Sequence, residues 1–369
     1  MSLENIIISG GGTGGHIYPA LAIADEIKRR YPNCTIRFVG AEGRMEMEKV
    51  PAAGYPIDGL WITGIERKIL SKKNLLFPFR LISSIRKSKK LIKKHKPQAA
   101  VGVGGFASGP LLYVASKRNI PTLIQEQNSY PGITNKILAK RVSKICTGFE
   151  NMEKWFPKEK SIHTGNPLRG NLTDSSADRS EAWKHFGLDP NKPTVFVMGG
   201  SLGALSLNDA VTNAMHQWTE QGIQVLWQTG KRFYEKNKEL VKQDGIQGVK
   251  VLGFIDRMDL AYSAADIIVS RAGAMSIAEL AIVSKPTLFV PSPHVAEDHQ
   301  THNARSLTDH DAAILVADKS VRDELGKAVS DLMANAEKRQ ALSEKLHTHA
   351  HPQAAKAVVD EIEKIVNGK

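Results

Sequence analysis

Short apolar runs alternate with amphipathic stretches along the whole chain. Residues 6–8 form an apolar run of strand length, residues 20–30 repeat apolar positions at helical spacing, and residues 35–39 are again strand-like. Strands that alternate with helical segments indicate βαβ units, in which helices cover a parallel sheet. The sequence therefore predicts a doubly wound α/β fold.

The same pattern starts again in the second half of the chain, which has 369 residues and hence the length of two domains. A turn-rich passage at residues 164–167 and a polar segment at residues 171–180 separate the halves. We expect two Rossmann-like domains, residues 1–165 and 166–351, and a closing helix within residues 352–369 that packs back on the first domain. Open α/β sheets bind ligands at the carboxyl ends of their strands, so we also expect a cleft where the two sheets face each other.

Lysine and arginine are concentrated in residues 66–96. The chain carries 50 basic and 38 acidic residues, a formal charge of +12, and +11 of that charge lies in this one segment. The segment also contains an apolar stretch, residues 75–82, followed by Ile85, Leu91 and Ile92 at helical spacing among lysines. A basic face beside an apolar tip suits an anionic membrane surface, where each Lys or Arg contributes about 1 kcal/mol. The alternative is an ordinary amphipathic helix whose apolar stripe packs on the sheet.

Composition argues against several other classes of protein. Aromatic residues make up only 6 % of the chain, and no recognition motif accompanies the basic segment, so we expect no nucleic-acid partner. Cys34 and Cys146 form no CxxC pair, which favours a reducing cytoplasm over a disulfide scaffold. No secretory signal and no run of about 18 apolar residues are visible. We therefore expect a peripheral protein at the cytoplasmic face of the cell membrane.

Three predicted strands end in glycine clusters that each open a helix. The clusters lie at residues 10–15, 102–109 and 199–203. Bare backbone amides beside a helix N-terminus bind phosphate and other anions. Tight turns alone would explain any single cluster, but three together favour phosphate or another polar substrate group as a ligand.

The first glycine cluster also fits the dinucleotide fingerprint G-x-G-x-x-G through Gly10, Gly12 and Gly15. A dehydrogenase of that kind needs an acid at the end of the second strand, and Glu42 comes late for that role. His16, directly after the glycines, instead provides an imidazole that can act as a general base near neutral pH.

Residues 271–279 follow a strand of the second half and admit two interpretations. Ser276 and Glu279 have the spacing of a capping box, which is a purely structural device. Alternatively, the Gly273 turn and the helix start bind a phosphate, and the Glu279 carboxylate accepts both hydroxyls of a ribose. Histidines in the neighbouring segment 294–303 lack the spacing of metal ligands, so we predict no metal.

Taken together, these motifs resemble the bacterial peptidoglycan glycosyltransferases of family 28, in consistent order over nearly the whole chain. The motifs are Gly-Gly-Thr-Gly-Gly-His at 11–16, Ser-Gly-Pro at 108–110, Glu-Gln-Asn at 126–128, Gly-Asn-Pro-Leu-Arg at 165–169, Gly-Gly-Ser at 199–201, Phe-Ile-Asp at 254–256, the 271–279 segment and Gln300. The resemblance implies a GT-B enzyme that needs no cofactor or metal. It would move N-acetylglucosamine from UDP-N-acetylglucosamine to the 4-hydroxyl of the muramoyl residue of undecaprenyl-linked lipid I, with inversion, to form lipid II.

The resemblance also implies roles for individual residues, with the acceptor on the N-terminal domain and the donor on the C-terminal one. His16 is the candidate base, and Glu126 is a second candidate, either as base or as a partner that orients an acceptor hydroxyl. Ile255 would contact uracil through its backbone, and Glu279 the ribose. The expected substrate-binding residues are Thr13, Gly14, Gly15, Asn128, Arg169, Ser201, Ile255, Ala274, Met275, Ser276, Ile277, Ala278, Glu279 and Gln300. The acceptor diphosphate would lie against Gly104, Gly105 and Ser108.

Three alternatives stay open from the sequence. The first is another sugar-nucleotide enzyme, such as a lipid-linked transferase with a different acceptor or an epimerase that acts on UDP-N-acetylglucosamine. The second is a nicotinamide-dependent dehydrogenase. The third is a non-enzymatic, basic module that binds membranes or RNA.

Overall fold

The computed structural model describes residues 2–64, 75–169, 178–200 and 202–368. Two compact units make up the chain: Met1–Gly170 together with His351–Lys369, and Asn171–Ala350. Each unit is built on one parallel sheet, of seven strands in the first and six in the second, with helices packed against it. The predicted pair of doubly wound α/β sheets is thereby confirmed.

The strands are short, as is typical of parallel sheets that are buried on both faces. In chain order they are β1 (Asn5–Ser9), β2 (Thr35–Ala41), β3 (Ile57–Leu60), β4 (Ala99–Gly102), β5 (Thr122–Glu126), β6 (Lys144–Thr147), β7 (Ser161–His163), β8 (Thr194–Met198), β9 (Gln224–Gln228), β10 (Val249–Leu252), β11 (Ile267–Ser270), β12 (Thr287–Phe289) and β13 (Ile314–Leu315).

Helices connect these strands and cover both faces of each sheet. They are α1 (Gly14–Arg30), α2 (Glu46–Ala52), α3 (Phe77–His95), α4 (Ser108–Ser116), α5 (Ile133–Leu138), α6 (Arg179–Phe186), α7 (Leu205–Glu220), α8 (Tyr234–Gln243), α9 (Met258–Ala264), α10 (Ala274–Val283), α11 (His299–Thr308), α12 (Val321–Ala334), α13 (Ala336–His347) and α14 (Ala354–Val366). Short 3-10 turns lie at Lys158–Lys160, Lys231–Phe233 and Ala296–Asp298.

Both sheets reverse their strand order at one internal position. The first sheet has the order β3-β2-β1-β4-β5-β6-β7, and the second has the order β10-β9-β8-β11-β12-β13. In a doubly wound fold the connections leave in opposite directions on the two sides of such a reversal, which opens a crevice at the strand ends. The reversal lies between β1 and β4 in the first unit, and between β8 and β11 in the second.

The alternation of side chains along β1 explains why the first sheet is covered on both sides. Ile6 and Ile8 point into a core formed with α1 and α14, whereas Ile7 points into the opposite core with α3 and α4. All three are at most 1 % exposed. A strand that is apolar at every position must be buried on both faces, because successive side chains point to opposite sides.

Helix α14 belongs to the first unit although it follows the whole of the second in sequence. Val358, Val359 and Ile362 are fully buried in the same core as α1. Arg30 of α1 donates hydrogen bonds to Asp360 at 2.6 Å and to Glu363 at 2.8 Å. The apolar contact and the ion pairs together hold α14 on the first sheet.

Two tryptophans fill the core of the second unit, and both indole N–H groups have acceptors. Trp218 donates to the Gly326 carbonyl at 3.1 Å, and Trp227 donates to the Asn208 side chain at 3.0 Å. Asn208 in turn donates to the Thr229 carbonyl at 3.0 Å, which ties α7 to the loop that follows β9. Trp218 and Trp227 therefore contribute packing without leaving their indole N–H groups unsatisfied.

Within the described residues, no helix is both long enough and apolar enough to cross a bilayer.

Candidate active site

The glycine clusters predicted from the sequence lie at the two strand-order reversals. At the first reversal Ser9 pairs with Gly102, so the loops that follow β1 and β4 leave the sheet side by side. At the second reversal Met198 pairs with Ser270, which brings together the loops that follow β8 and β11. Each unit therefore has a pair of adjacent strand-to-helix loops at the position where this fold binds ligands.

The loop after β1 presents backbone amides at the start of α1. Thr13 precedes the helix, and its carbonyl accepts the first helical bonds, from His16 at 3.1 Å and from Ile17 at 3.2 Å. The amides of Gly14 and Gly15 come before these bonds and have no acceptor within the helix. Gly15 is exposed and Gly14 is partly exposed. The helix start can therefore receive the oxygens of a phosphate.

The imidazole of His16 is held by the same loop. Its Nδ1 lies 3.0 Å from the Gly11 carbonyl oxygen and 3.3 Å from the Thr13 hydroxyl. A carbonyl oxygen only accepts, so Nδ1 carries the proton in the neutral ring and Nε2 carries the basic lone pair. A Cβ added at Gly104 would lie 2.8 Å from Nε2, which places this nitrogen against the loop after β4. His16 thus has the tautomer that a general base requires.

The loop after β4 packs directly on the first loop. A Cβ added at Gly105 would lie 2.4 Å from the Gly11 carbonyl oxygen, and both Gly104 and Gly105 have φ near +85°. Ser108 is fully buried, and its hydroxyl donates to the Gly105 carbonyl at 2.8 Å. The glycines permit the close approach of two backbones, and Ser108 fixes the shape of its own loop.

Glu126 ends β5 and is only 2 % exposed. One carboxylate oxygen accepts from the backbone and side chain of Asn128 at 3.0 and 3.4 Å, and the other accepts from Gly132 at 3.0 Å and Asn135 at 2.8 Å. Burial raises the pKa of Glu126, and these hydrogen bonds oppose that rise. Both oxygens accept hydrogen bonds from the segment that follows β5. The geometry therefore favours a role for Glu126 in fixing the conformation of Asn128 and its neighbours.

Arg169 lies in the first unit, against α1 rather than at a glycine loop. Its Nε donates to Asp25 at 2.7 Å, and the other oxygen of Asp25 accepts from the Tyr55 hydroxyl at 2.7 Å. Asp25 lies roughly three turns along α1 from Gly14. The structure therefore does not bring Arg169 together with the residues at the helix start.

The second unit presents another helix start, at α10. Gly273 precedes the helix and has no side-chain cap, and the first helical bond runs from Ile277 to the Gly273 carbonyl at 2.9 Å. The amides of Ala274, Met275 and Ser276 come before this bond and have no acceptor within the helix. Ser276 is the third residue of α10, not its cap. The capping-box interpretation of Ser276 and Glu279 is therefore wrong.

Glu279 lies one turn further along α10, beyond Ile277 and Ala278. It accepts a hydrogen bond from the Tyr262 hydroxyl at 2.9 Å, and Tyr262 is 2 % exposed. Burial raises the pKa of Glu279, whereas the Tyr262 hydrogen bond lowers it. The residue as a whole is partly exposed, and its carboxylate keeps acceptor capacity for a ligand hydroxyl, because a carboxylate can accept several hydrogen bonds.

The loop after β8 is pressed against the loop after β9. Gly203 has φ +76°, and a Cβ there would lie 2.1 Å from the Thr229 carbonyl oxygen. The Gly203 amide donates to the Gly200 carbonyl at 3.0 Å, which closes a tight turn. Ser201, the residue expected at the donor diphosphate, lies outside the described residues. Glycine is required here by backbone conformation and by space.

The two remaining expected donor residues lie on either side of this pair of loops. Ile255 follows β10 and is 4 % exposed, so it has its backbone rather than its side chain to offer a ligand. The Gln300 side chain accepts from the Ser292 amide at 2.9 Å and so shapes the loop after β12. Asn303 donates to the Ala272 carbonyl at 3.4 Å, which ties α11 to the start of α10.

Sequence reasoning missed three groups that hold these loops. Arg271 donates to Asp318 at 2.5 Å, to Ser206 at 2.9 Å and to the Val290 carbonyl at 3.0 Å, and so joins the ends of β11 and β12 to α7. Asn166 joins Gln125 and Gln127 beneath the loop after β5. Glu46 is buried beneath the loop after β1. The hydrogen-bond partners of each group lie far apart in the sequence. Arg271 and Asn166 lie within motifs that the sequence shows, whereas Glu46 lies in none.

No group of three or more His, Cys, Asp or Glu side chains suited to hold a metal occurs in the part of the chain that the structure describes. The expectation that catalysis needs no metal stays a prediction.

The described part of the basic segment, residues 75–96, has two different faces. Leu91 and Ile92 pack in the core of the first unit, so the apolar stripe of α3 faces the sheet. Phe79 is 66 % exposed and Ile82 is 49 % exposed, next to the exposed lysines. An open groove of about 720 Å³ on this face is lined by Phe79, Ile82, Ser83, Arg86, Lys87 and Lys90. Residues 66–74 lie outside the described residues.

Comparison with known proteins identifies the family. Residues 6–147 match the glycosyltransferase family 28 N-terminal domain, and residues 194–358 match the family 28 C-terminal domain. The chain belongs to glycosyltransferase family 28. The resemblance inferred from the sequence is confirmed. Because the chain matches both domains of a glycosyltransferase family, the dehydrogenase and the non-enzymatic module are excluded.

Full-length relatives share about half of its residues. A protein of Christiangramia forsetii is 51 % identical over 364 residues, which cover 99 % of this chain and 98 % of the relative. A Flavobacterium psychrophilum protein is 50 % identical over 369 residues, with both chains fully covered. Both are named UDP-N-acetylglucosamine--N-acetylmuramyl-(pentapeptide) pyrophosphoryl-undecaprenol N-acetylglucosamine transferase. The crystal structure of Acinetobacter baumannii MurG superposes with a TM-score of 0.80 at 30 % identity, covering 98 % of this chain and 99 % of that one.

The hydrogen bond between Tyr262 and Glu279 leads to a prediction about pH. In Tyr262→Phe the donor is lost while the buried surroundings remain, so the pKa of Glu279 should rise above its value in the unmodified enzyme. Titration of the Glu279 carboxyl carbon by NMR measures this directly. Tyr234→Phe, on α8, is the matched control and should leave that pKa unchanged. An equal or lower Glu279 pKa in Tyr262→Phe would contradict the prediction.

Proposed function

We propose that this family 28 glycosyltransferase transfers N-acetylglucosamine from UDP-N-acetylglucosamine to the 4-hydroxyl of the muramoyl residue of undecaprenyl-linked lipid I, with inversion, and so forms lipid II. The observation that carries the proposal is half identity over the full length to relatives named for that transfer. Both helix starts that could receive a diphosphate are present, one in each unit.

The donor binds to the C-terminal domain in this proposal. The amides of Ala274, Met275 and Ser276 receive the UDP diphosphate at the start of α10, where the helix dipole also favours negative charge. Glu279 accepts the ribose hydroxyls, and the Ile255 backbone contacts the uracil. Gln300 and Asn128 bind the sugar, and Ser201 binds the diphosphate.

The acceptor binds to the N-terminal domain. The amides of Gly14 and Gly15 and the backbone of the loop after β4 receive the lipid diphosphate. Nε2 of His16 takes the proton of the muramoyl 4-hydroxyl while that oxygen bonds to the anomeric carbon. The bond from the anomeric carbon to the UDP oxygen breaks at the same time, and UDP leaves with the electron pair. Amides at the start of α10 stabilise the charge that grows on the diphosphate.

The enzyme works at the cytoplasmic face of the cell membrane in this proposal, as a peripheral protein. Phe79 and Ile82 insert at the surface, and the neighbouring lysines of α3 attract anionic headgroups. This arrangement accounts for the concentration of positive charge in residues 66–96. It also brings the protein to an acceptor whose polyprenyl chain stays in the bilayer.

A transfer assay tests the proposed reaction. The enzyme is incubated with radiolabelled UDP-N-acetylglucosamine and lipid I, and one UDP should be released for each sugar that enters the lipid. UDP-glucose should be used poorly, and a polyprenyl diphosphate that carries a sugar other than muramoyl should accept no label. Label on that second lipid but not on lipid I would assign a different acceptor, and absence of UDP release with both would refute the proposal.

The role of His16 is tested by His16→Ala. A general base contributes about 10² to 10⁴ in rate, so kcat should fall by that factor while the KM for UDP-N-acetylglucosamine changes little. His163→Ala, which changes a histidine on β7 of the same unit, is the control and should keep most of the activity. A loss below threefold for His16→Ala would remove His16 from the mechanism.

The membrane surface is tested by reversing charge at Lys89, Lys90, Lys93 and Lys94. At about 1 kcal/mol for each lysine, partition onto vesicles that contain anionic lipid should weaken by more than about 100-fold. Binding of UDP should not change. The control reverses four exposed lysines of the second unit, giving the same net charge: Lys236, Lys242, Lys250 and Lys338. Equal weakening in both variants would mean that only net charge matters and would contradict an α3 surface.

A further inference from the structure

A buried carboxylate lies beneath the loop that follows β1. Glu46 is the first residue of α2 and is 0 % exposed. Its Oε1 accepts from the Ala41 amide at 2.9 Å, and its Oε2 accepts from the Gly12 amide at 2.8 Å. The carboxylate thus joins the end of β2 to the centre of the first glycine loop.

Two glycines make room for this side chain. A Cβ at Gly11 would lie 2.2 Å from the Glu46 Oε1, and a Cβ at Gly40 would lie 2.5 Å from its Cγ. Real Cβ atoms do not approach other atoms so closely. The first glycine cluster therefore serves to admit Glu46 from below as well as to present amides on its open side.

The contact with Gly12 controls the orientation of one peptide group. The Gly12 amide and the Gly11 carbonyl belong to the same planar peptide unit and point in opposite directions. Glu46 accepts from the amide side, and the carbonyl oxygen on the other side lies 3.0 Å from Nδ1 of His16. Gly12 has φ +88°, and because it has no Cβ its backbone can adopt more conformations than that of other residues. An acceptor on the amide side is what keeps the carbonyl facing the imidazole.

We propose that Glu46 is a positioning residue for His16. By accepting the Gly12 amide, it holds the Gly11 carbonyl towards Nδ1, which fixes the imidazole ring and keeps the basic lone pair on Nε2. The inference rests on the proposed function, because it gives Glu46 a role in the proton transfer assigned there to His16. Glu46 itself touches no reacting atom.

The variant Glu46→Gln tests the proposal with little change of shape. A glutamine side chain has one acceptor oxygen and one NH₂ donor, so it cannot accept from both Gly12 and Ala41. Small displacements of a catalytic group cost up to about 100-fold in rate, and we expect kcat to fall by about 10- to 100-fold. The KM for UDP-N-acetylglucosamine should stay within about twofold, since the proposed donor residues of α10 lie in the other unit.

A double-mutant cycle separates positioning from general destabilisation. If Glu46 acts through His16, then adding Glu46→Gln to His16→Ala should lower the residual rate by less than about twofold. Glu361→Gln is the matched control, because Glu361 is 3 % exposed, lies on α14 of the same unit and pairs with Lys144 and Lys364. It should leave kcat unchanged in both backgrounds.

The possible outcomes each decide the question. A kcat for Glu46→Gln equal to that of the unmodified enzyme would overturn the inference, and so would an undiminished loss in the His16→Ala background. If Glu46→Gln does not fold, Gly40→Ala, which presses on the same side chain from β2, is put through the same two comparisons. An unmodified enzyme that transfers no sugar would instead refute the proposed function, so the two failures are distinguishable.

Discussion

The rest of the structure depends on one requirement: the backbone amides that follow the ends of parallel strands must find hydrogen-bond acceptors. A strand that ends inside an α/β unit and turns straight into a helix leaves several N–H groups without an intrahelical acceptor. Each must find an acceptor in the protein, in water or in a ligand, because a buried donor left without one is costly. In the loops at the two strand-order reversals of this family 28 glycosyltransferase, the amides of Gly12 and Gly203 have protein acceptors, whereas those at the starts of α1 and α10 have no acceptor within the helix.

Glycine meets this constraint in more than one way. At Gly14 and Gly15 the lack of a side chain leaves helix-start amides accessible from solvent. At Gly105 and Gly203 the same lack lets two backbones approach each other, in conformations with positive φ. At Gly11 it admits a buried carboxylate. A glycine cluster is therefore not a uniform phosphate loop, since some of its members bind and others only make space.

Much of the fold could be predicted from the sequence because its strands are short, apolar and separated by turn residues. The predicted strands at residues 6–8 and 35–39 lie within β1 and β2, and the loops after β1, β4 and β8 were placed by their glycines. The sequence left the start of α10 open between the Gly273 turn and a cap at Ser276. Ser276 and Glu279 fit a capping box by spacing, yet β11 ends at Ser270 and the helix begins at Ala274, which leaves Ser276 inside it. Where a helix begins depends on the register of the preceding strand, which local spacing does not contain.

The buried acids show why site roles are harder to infer than site positions. Glu126 follows a strand, as a base candidate should, but both of its oxygens accept from the loop that follows. Glu46 carries no sequence motif, yet it accepts two backbone amides under the loop that holds His16. Glu279 accepts from one tyrosine and keeps capacity for a ligand. The number of protein donors that already reach a carboxylate therefore distinguishes one that holds a loop from one that can bind a ligand. Those donors belong to residues that only the fold brings close together.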